Sequence, residues 1–145
     1  MSPDLLDPVR RSVEAEHGLC TVAVVRADGT PHTSLVNAGV LDHPVTGTPV
    51  VGYVTYGPVK LRALRARPAT SLHFRSGWRW VAVEGDSEII GWDDAVEGVD
   101  LPQLLRDVFS ACGGTHDDWD AYDATMREQR RAAVLVEPAR IVGNH

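Results

Sequence analysis

Lysine occurs once in this chain, at position 60, against thirteen arginines, and cysteine occurs twice. Cys20 and Cys112 lie far apart and in no CxxC or Cys/His spacing, which argues against a disulfide framework and a zinc site; buried thiols are expected. Long apolar runs are missing too. No segment approaches the ~18 uninterrupted apolar residues of a membrane span, so no membrane partner is expected. The first residues, MSPDLLDPVRRSVEAEHG, lack a basic start followed by an apolar stretch. They do not read as a secretory signal, and the cytoplasm is the expected compartment. A surplus of positive charge is absent, since the formal net charge is −6. An acidic chain offers little to nucleic acid, and none is expected as a partner. Repeats and low-complexity tracts are absent as well. A 15.8 kDa chain is expected to form one domain over residues 1–145, burying roughly 70% of the surface its unfolded form exposes. The preference for Arg over Lys, with abundant Ala, Val and Gly, is that of a GC-rich genome such as an actinobacterium's, and concerns codons rather than function.

What is present is unevenly placed. Between Pro58 and Arg79 six cations, Lys60, Arg62, Arg65, Arg67, Arg75 and Arg79, occur without an acid. Trp92 to Asp123, by contrast, holds nine acids and one arginine, Arg106. Single arginines on a helix face are ordinarily solvated, but the island as a whole is expected to bind an anion. Leu5, Leu6, Val9 and Val13 fall near helical spacing and predict a helix over 3–17. GLCTVAVVRADGTPHTSLVNAGVL reads as two strands around Asp28-Gly29, a hairpin signal because glycine tolerates the positive φ of a tight turn. Beyond the loop DHPVTGTP, VVGYVTY is a third strand. Pro58 suits a first helical position and Leu61 and Leu64 give an inward stripe, so a helix runs to about Arg67, before Pro68. TSLHF and WRWVAVEGDSEII are two more strands joined by RSG, and helices are expected at 102–112 and about 118–129. AAVLVEPARIVG closes the chain as a last strand, bent or edged at Pro138. Strands apolar on both faces, such as 19–25, suit a closed or two-sided sheet. About six strands with short peripheral helices predict a mainly β protein, a small barrel.

A strand ending at Tyr56, a Gly57-Pro58 turn and a helix beginning at once would place unpaired backbone N–H groups and the positive end of the helix dipole beside Lys60. This is an anion site in outline, without the GxxxxGK[ST] pattern of a nucleotide-binding loop. The order of these segments carries a resemblance. TVAVVRADGTPHTSLV, YVTYGPVKLRALRARPATSLHF, WRWVAVEGDSEII and RRAAVLVEPARIVG together resemble the pyridoxamine 5′-phosphate oxidase-like, FMN-binding split β-barrel superfamily over most of residues 15–143. Within it they resemble the branch of deazaflavin F420-dependent oxidoreductases. The resemblance implies a homodimeric split barrel of about six antiparallel strands with a flavin-type cofactor at the subunit interface. It implies phosphate contact by Lys60 and its surroundings, Gly57, Leu61, Arg62 and Arg65. It also implies a ring lined by Ser34, Leu35, Val36 and Asn37, with Tyr53, Val54 and Thr55 along the ribityl chain. Family members often carry a further basic or hydroxyl residue just before the lysine. Pro58 and Val59 stand there in this chain, so phosphate binding would lean on Lys60, backbone amides and Arg62 or Arg65.

The function so implied is hydride transfer between reduced F420 and a small organic acceptor. FMN is the alternative cofactor, one that permits oxygen chemistry, and a cofactor carrier without turnover is the rival from another class. No catalytic acid is assigned, because the cofactor carries the reactive carbon; a proton could come from Tyr53, Tyr56 or solvent. The remaining signals have plainer readings. Trp78 and Trp80, two apart, are expected on one face of a strand with Arg79 opposite, as a pocket wall or as packing. Asn37, polar within an apolar strand, bonds either a cofactor or backbone. His73, mid-strand, is expected to be a satisfied core histidine. His116 with Asp117, Asp118 and Asp120 is metal-like in composition only. Asp117 or Asp118 capping the following helix accounts for those acids, and no metal is assigned.

Overall fold

The computed structural model describes residues 4–144; Pro3, where the predicted first helix begins, lies outside them, as do residues 1, 2 and 145. The elements are α1 (Asp7–Glu16), β1 (Leu19–Val25), β2 (Pro31–Asp42), β3 (Pro49–Thr55), α2 (Pro58–Ala66), β4 (Ala69–Ser76) and β5 (Arg79–Ile90). They continue with α3 (Leu101–Ala111), α4 (Trp119–Glu128), β6 (Ala132–Val136) and β7 (Arg140–Gly143). Their boundaries have local causes. The β1–β2 turn forms where Gly29 takes φ 86° and Asp28 Oδ1 accepts from the Thr30 amide at 3.0 Å. Asp100 caps α3 by accepting from the Gln103 amide at 3.1 Å, and Asp118 caps α4 by accepting from Ala121 at 3.0 Å.

Six antiparallel strands close a barrel in the order β4-β1-β2-β3-β6-β5, with β5 pairing back onto β4. The seventh strand is a correction. AAVLVEPARIVG is two strands, because β6 pairs with β3 and with Ser87–Ile90 of β5, whereas β7 pairs with Val81–Glu84 of the same β5 edge. The chain steps between them over Gly85, where a Cβ would stand 2.3 Å from the Glu137 carbonyl oxygen.

Alternation along the strands makes two apolar layers. Tyr53, Val51, Val134 and Val136 face the barrel interior with Val22, Leu72 and Phe74. Val50, Val54, Ala133 and Leu135 face outward, where α3 and α4 cover them with Leu104, Leu105, Val108 and Met126. Being sandwiched in this way, all five residues of β6 are buried. Helices also stop the barrel ends. α1 and its N-cap contribute Val9 and Leu6 beside the C-terminal end of β4, and α2, which leads into the N-terminal end of β4, contributes Leu61 and Leu64.

Candidate functional site

β3 ends at Thr55 and α2 starts at Pro58, with Gly57 as its N-cap and no side chain bonded to the first-turn amides. The expected strand-turn-helix geometry is therefore present. Lys60 does not lie over that helix start. It is only 6% exposed, and its Nζ donates to Thr55 Oγ1 at 3.3 Å and lies 5.3 Å from the centre of the Tyr53 ring, inside the barrel. Among the described residues it forms no ion pair. Burial holds its ammonium below the ordinary lysine range, opposed by the nearby Cys20. The same pocket of the core leaves Tyr53 OH without a hydrogen-bond partner, and burial, then Cys20, pushes that phenol up. The Cys20 thiol is pushed up to about 12 by burial and then by Cys112. Neither buried, free cysteine has the character of a nucleophile.

Outside the barrel lie two neighbouring clefts. One, about 450 Å³, opens between the outer face of β2–β3 and the α3–α4 pair, with Asn37, Val54, Phe109, Tyr122, Met126 and Arg131 on its walls. The other, about 560 Å³, lies at the start of α2, with Tyr56, Pro58, Arg62, Arg65, Trp92 and Arg130 around it. Between them the Arg131 guanidinium, from the wall of the first, sits 3.9 Å from the centre of the exposed Tyr56 ring, on the wall of the second. Arg65 is held by both oxygens of Asp94, at 3.1 and 2.6 Å, and Arg130 is paired with Asp93. Arg62 and Arg131 have no carboxylate partner among the described residues. The arrangement is an apolar, aromatic trough beside a second cleft that holds the uncapped α2 amides and Arg62; Arg131, between them, donates its Nε to Gln129 Oε1 at 2.8 Å.

The expected site residues divide between the two sides of the barrel wall. Consecutive strand residues cannot present all their side chains to one ligand. Register pairs Ser34 with Val22 and Val36 with Cys20, so these point inward, and the Ser34 hydroxyl is buried without a partner. Leu35, 64% exposed, and Asn37 point outward, where Asn37 Nδ2 donates to the His17 carbonyl at 3.1 Å. Tyr53 and Thr55 join Lys60 inside, and Val54 lines the outer trough. Leu61 is a core residue, whereas Gly57, Arg62 and Arg65 sit at the outer cleft's helix. The basic island does not form one patch: Arg62 and Arg65 belong to α2, but Arg75 and Arg79 lie at the opposite end of the barrel against α1. Trp78 lies in the β4–β5 turn and is 94% exposed, so it shares no strand face with Trp80. His73 is an exposed residue stacked on Trp80, with ring centres 5.2 Å apart, rather than a core histidine.

Arg130, on the wall of the α2 cleft, and Arg127 and Arg131, stacked on its Trp92 and Tyr56, are not among the expected residues. Their signal is a second short basic run, REQRR, immediately before the last apolar stretch. β6 runs antiparallel to β3, pairing Ala132 with Thr55, and this carries the run to the start of α2. Only that long-range pairing gives the run its meaning.

A closed antiparallel barrel of six strands with helix-stopped ends is a split-barrel fold. The profile of the pyridoxamine 5′-phosphate oxidase family matches residues 6–143, and the chain belongs to that family. Among solved structures, a conserved hypothetical protein of Mycobacterium tuberculosis is 23% identical with a TM-score of 0.69, covering 99% of this chain and 84% of its own. An F420 reductase is 20% identical with a TM-score of 0.61, covering 98% of each chain. A pyridoxamine 5′-phosphate oxidase-related, FMN-binding protein of Nostoc punctiforme is 12% identical with a TM-score of 0.63, covering 97% of this chain and 84% of its own. At these identities the likeness is one of fold. No curated protein matches this sequence. Among the described residues no helix is long and apolar enough to cross a membrane.

Proposed function

We propose that this protein is an F420-dependent oxidoreductase that passes a hydride between the reduced deazaflavin and a small organic acceptor. The observation that carries the reading is the pair of neighbouring clefts, linked by the stack of Arg131 on Tyr56. An apolar trough walled by Val54, Phe109 and Tyr122 suits a planar ring, and Arg62, Arg131 and the uncapped first turn of α2 suit the phosphate beyond it. A bound deazaflavin supplies the hydride-carrying carbon. The chain's own residues then bind, orient and exclude water, so no dedicated acid is needed. In this reading Lys60 also contacts the phosphate, which requires its side chain to leave Thr55 and turn outward. The working unit is a homodimer, supported by the uncharged outer face of β1 and β2, where Leu19, Val25 and Leu35 are exposed beside Thr21, Ala23 and Thr33.

Titration of the purified protein with oxidised and reduced F420 and with FMN, followed by acceptor-dependent reoxidation of reduced F420, tests the proposal. The expected result is tighter binding of F420 than of FMN, and turnover with one of a quinone, an enone or a tetrapyrrole. Tighter FMN binding would move the assignment to an FMN-dependent oxidase or reductase, and binding without turnover would move it to a cofactor carrier. Lys60→Ala and Arg131→Ala are each expected to weaken F420 by roughly tenfold to a hundredfold, the loss of one charge-assisted contact. Light scattering at micromolar concentration should give the dimer mass; a monomer mass removes the interface from the proposal.

A further inference from the structure

Three arginines outside the proposed cofactor site line one cavity. Between α1 and the β4–β5 hairpin lies a cavity of about 170 Å³ lined by Arg11, Ser12, Phe74, Arg75, Arg79 and Trp80. Three arginines thus border one small space with no acidic residue among its walls. Arg75 spends one nitrogen on the Gly77 carbonyl at 3.1 Å; Arg11 and Arg79 make no hydrogen bond and no ion pair with any described residue. Like charges crowded in this way repel one another unless an anion sits between them. A second observation points to the same place. Ser12 is 8% exposed and lines the cavity, and its hydroxyl is buried without any partner. Buried hydroxyls are ordinarily bonded, so this one stands available to a group that enters. The remaining wall, Phe74 and Trp80, is aromatic. Clefts for drug-sized ligands run from roughly 300 Å³ upward, so this cavity takes a smaller molecule.

We propose that this cavity is a second ligand site, separate from the cofactor cleft, and that it binds a small organic anion: a ring or short apolar body carrying one carboxylate or phosphate. Arg11 and Arg79 hold the anionic group, Ser12 donates to it, and Trp80 covers the body. The site does not depend on which cofactor the protein uses.

Nitrogen-15 spectra of the full chain, titrated with phenyl phosphate, benzoate and neutral benzyl alcohol, test it. Both anions are expected to shift the Trp80 indole signal and the Arg11 and Arg79 side-chain signals saturably in the millimolar range, with the tighter of the two naming the preferred head group. Added salt should weaken both. Arg11→Ala with Arg79→Ala should weaken them at least tenfold, Arg11→Lys with Arg79→Lys should restore much of the loss, and Arg62→Ala, in the other cleft, should change nothing. Equal binding of benzyl alcohol, undiminished anion binding in the double alanine variant, or no saturable shift at Trp80 in the wild type would each overturn the site. The wild-type salt dependence decides the matter should the double variant fold poorly.

Discussion

Tyr53 and Tyr122 are both buried, one inside the barrel and one in the helical layer outside it, and their hydroxyls fare differently. Tyr122 OH donates to the Leu105 carbonyl at 2.9 Å, while Tyr53 OH has no partner. The charged groups follow the same division. Arg106, at the α3–α4 contact, meets both oxygens of Asp123 at 2.9 and 2.6 Å, and its guanidinium lies 5.3 Å from the Trp119 ring centre. Lys60 has a hydroxyl and a ring face instead of a carboxylate. The outer layer is therefore a satisfied brace, and the barrel end beneath α2 keeps polar groups uncompensated. Such groups cost stability, so they are found where binding or movement gives something back.

The largest effect expected from breaking this contrast is at the seam between the two regions. Gly39 of β2 lies so close to the end of α3 that a Cβ would stand 2.3 Å from the Ala111 carbonyl oxygen. Gly39→Ala should push α3 off the sheet and lower stability by about 2–3 kcal/mol. A urea midpoint unchanged from wild type would show that the layer floats. Next come the tyrosines themselves. Tyr122→Phe removes the hydroxyl's bond to the Leu105 carbonyl and should cost about 1 kcal/mol, whereas Tyr53→Phe removes a hydroxyl that bonds nothing and should be neutral or stabilising by up to ~1 kcal/mol. Equal losses from both would erase the contrast.

The smallest effect is in the pH dependence of the barrel interior. For Lys60 the folded pKa lies below the ordinary 10.5, so its penalty is full below the folded value and is relieved as pH rises toward 10.5. Cys20 acts in the opposite sense. Its thiol ionises near 9.0 when unfolded and at about 12 when folded, so the stability it contributes is present below pH 9 and is lost as pH rises toward 12. Lys60→Met should therefore stabilise the protein near neutrality, and its advantage over wild type should shrink as pH climbs to 10.5. Cys20→Ala should flatten the alkaline decline. Denaturant melts of both variants between neutral and alkaline pH read these slopes; an advantage of Lys60→Met that grows with pH would contradict the buried ammonium.

Much of this architecture is legible in the sequence because its causes are local. Asp28-Gly29, Pro58 at a helix start, and the Asp118 cap each act within a few residues, and the helices expected at 102–112 and about 118–129 are found at 101–111 and 119–128. What escapes is set by partners distant in the chain. The division of the last strand follows from which edge of β5 is free, the splitting of the basic island from the length of β4 between its two ends, and the role of Arg131 from the pairing of β6 with β3. Alternation explains the rest of the candidate site. A run such as Ser34 to Asn37 can be picked out as a strand, but which of its side chains face the barrel depends on the register with β1.

The position of β6 has a consequence for how the chain reaches this state. β1 with β2, and β4 with β5, are hairpins between neighbours in sequence, but β6 must enter between β3 and β5, pairing Val136 with both Val51 and Ser87. Loop closure over such distances is slow, in the millisecond-to-second range of nonlocal β topologies. Until β6 arrives, β3 and β5 each present an unpaired edge, and an open edge is a template for other chains. We expect the slow refolding phase and the concentration-dependent losses during refolding to share this one event. In pulse-labelling hydrogen exchange, the amides of Ala133 to Leu135 should gain protection last; early protection there would place the bottleneck elsewhere.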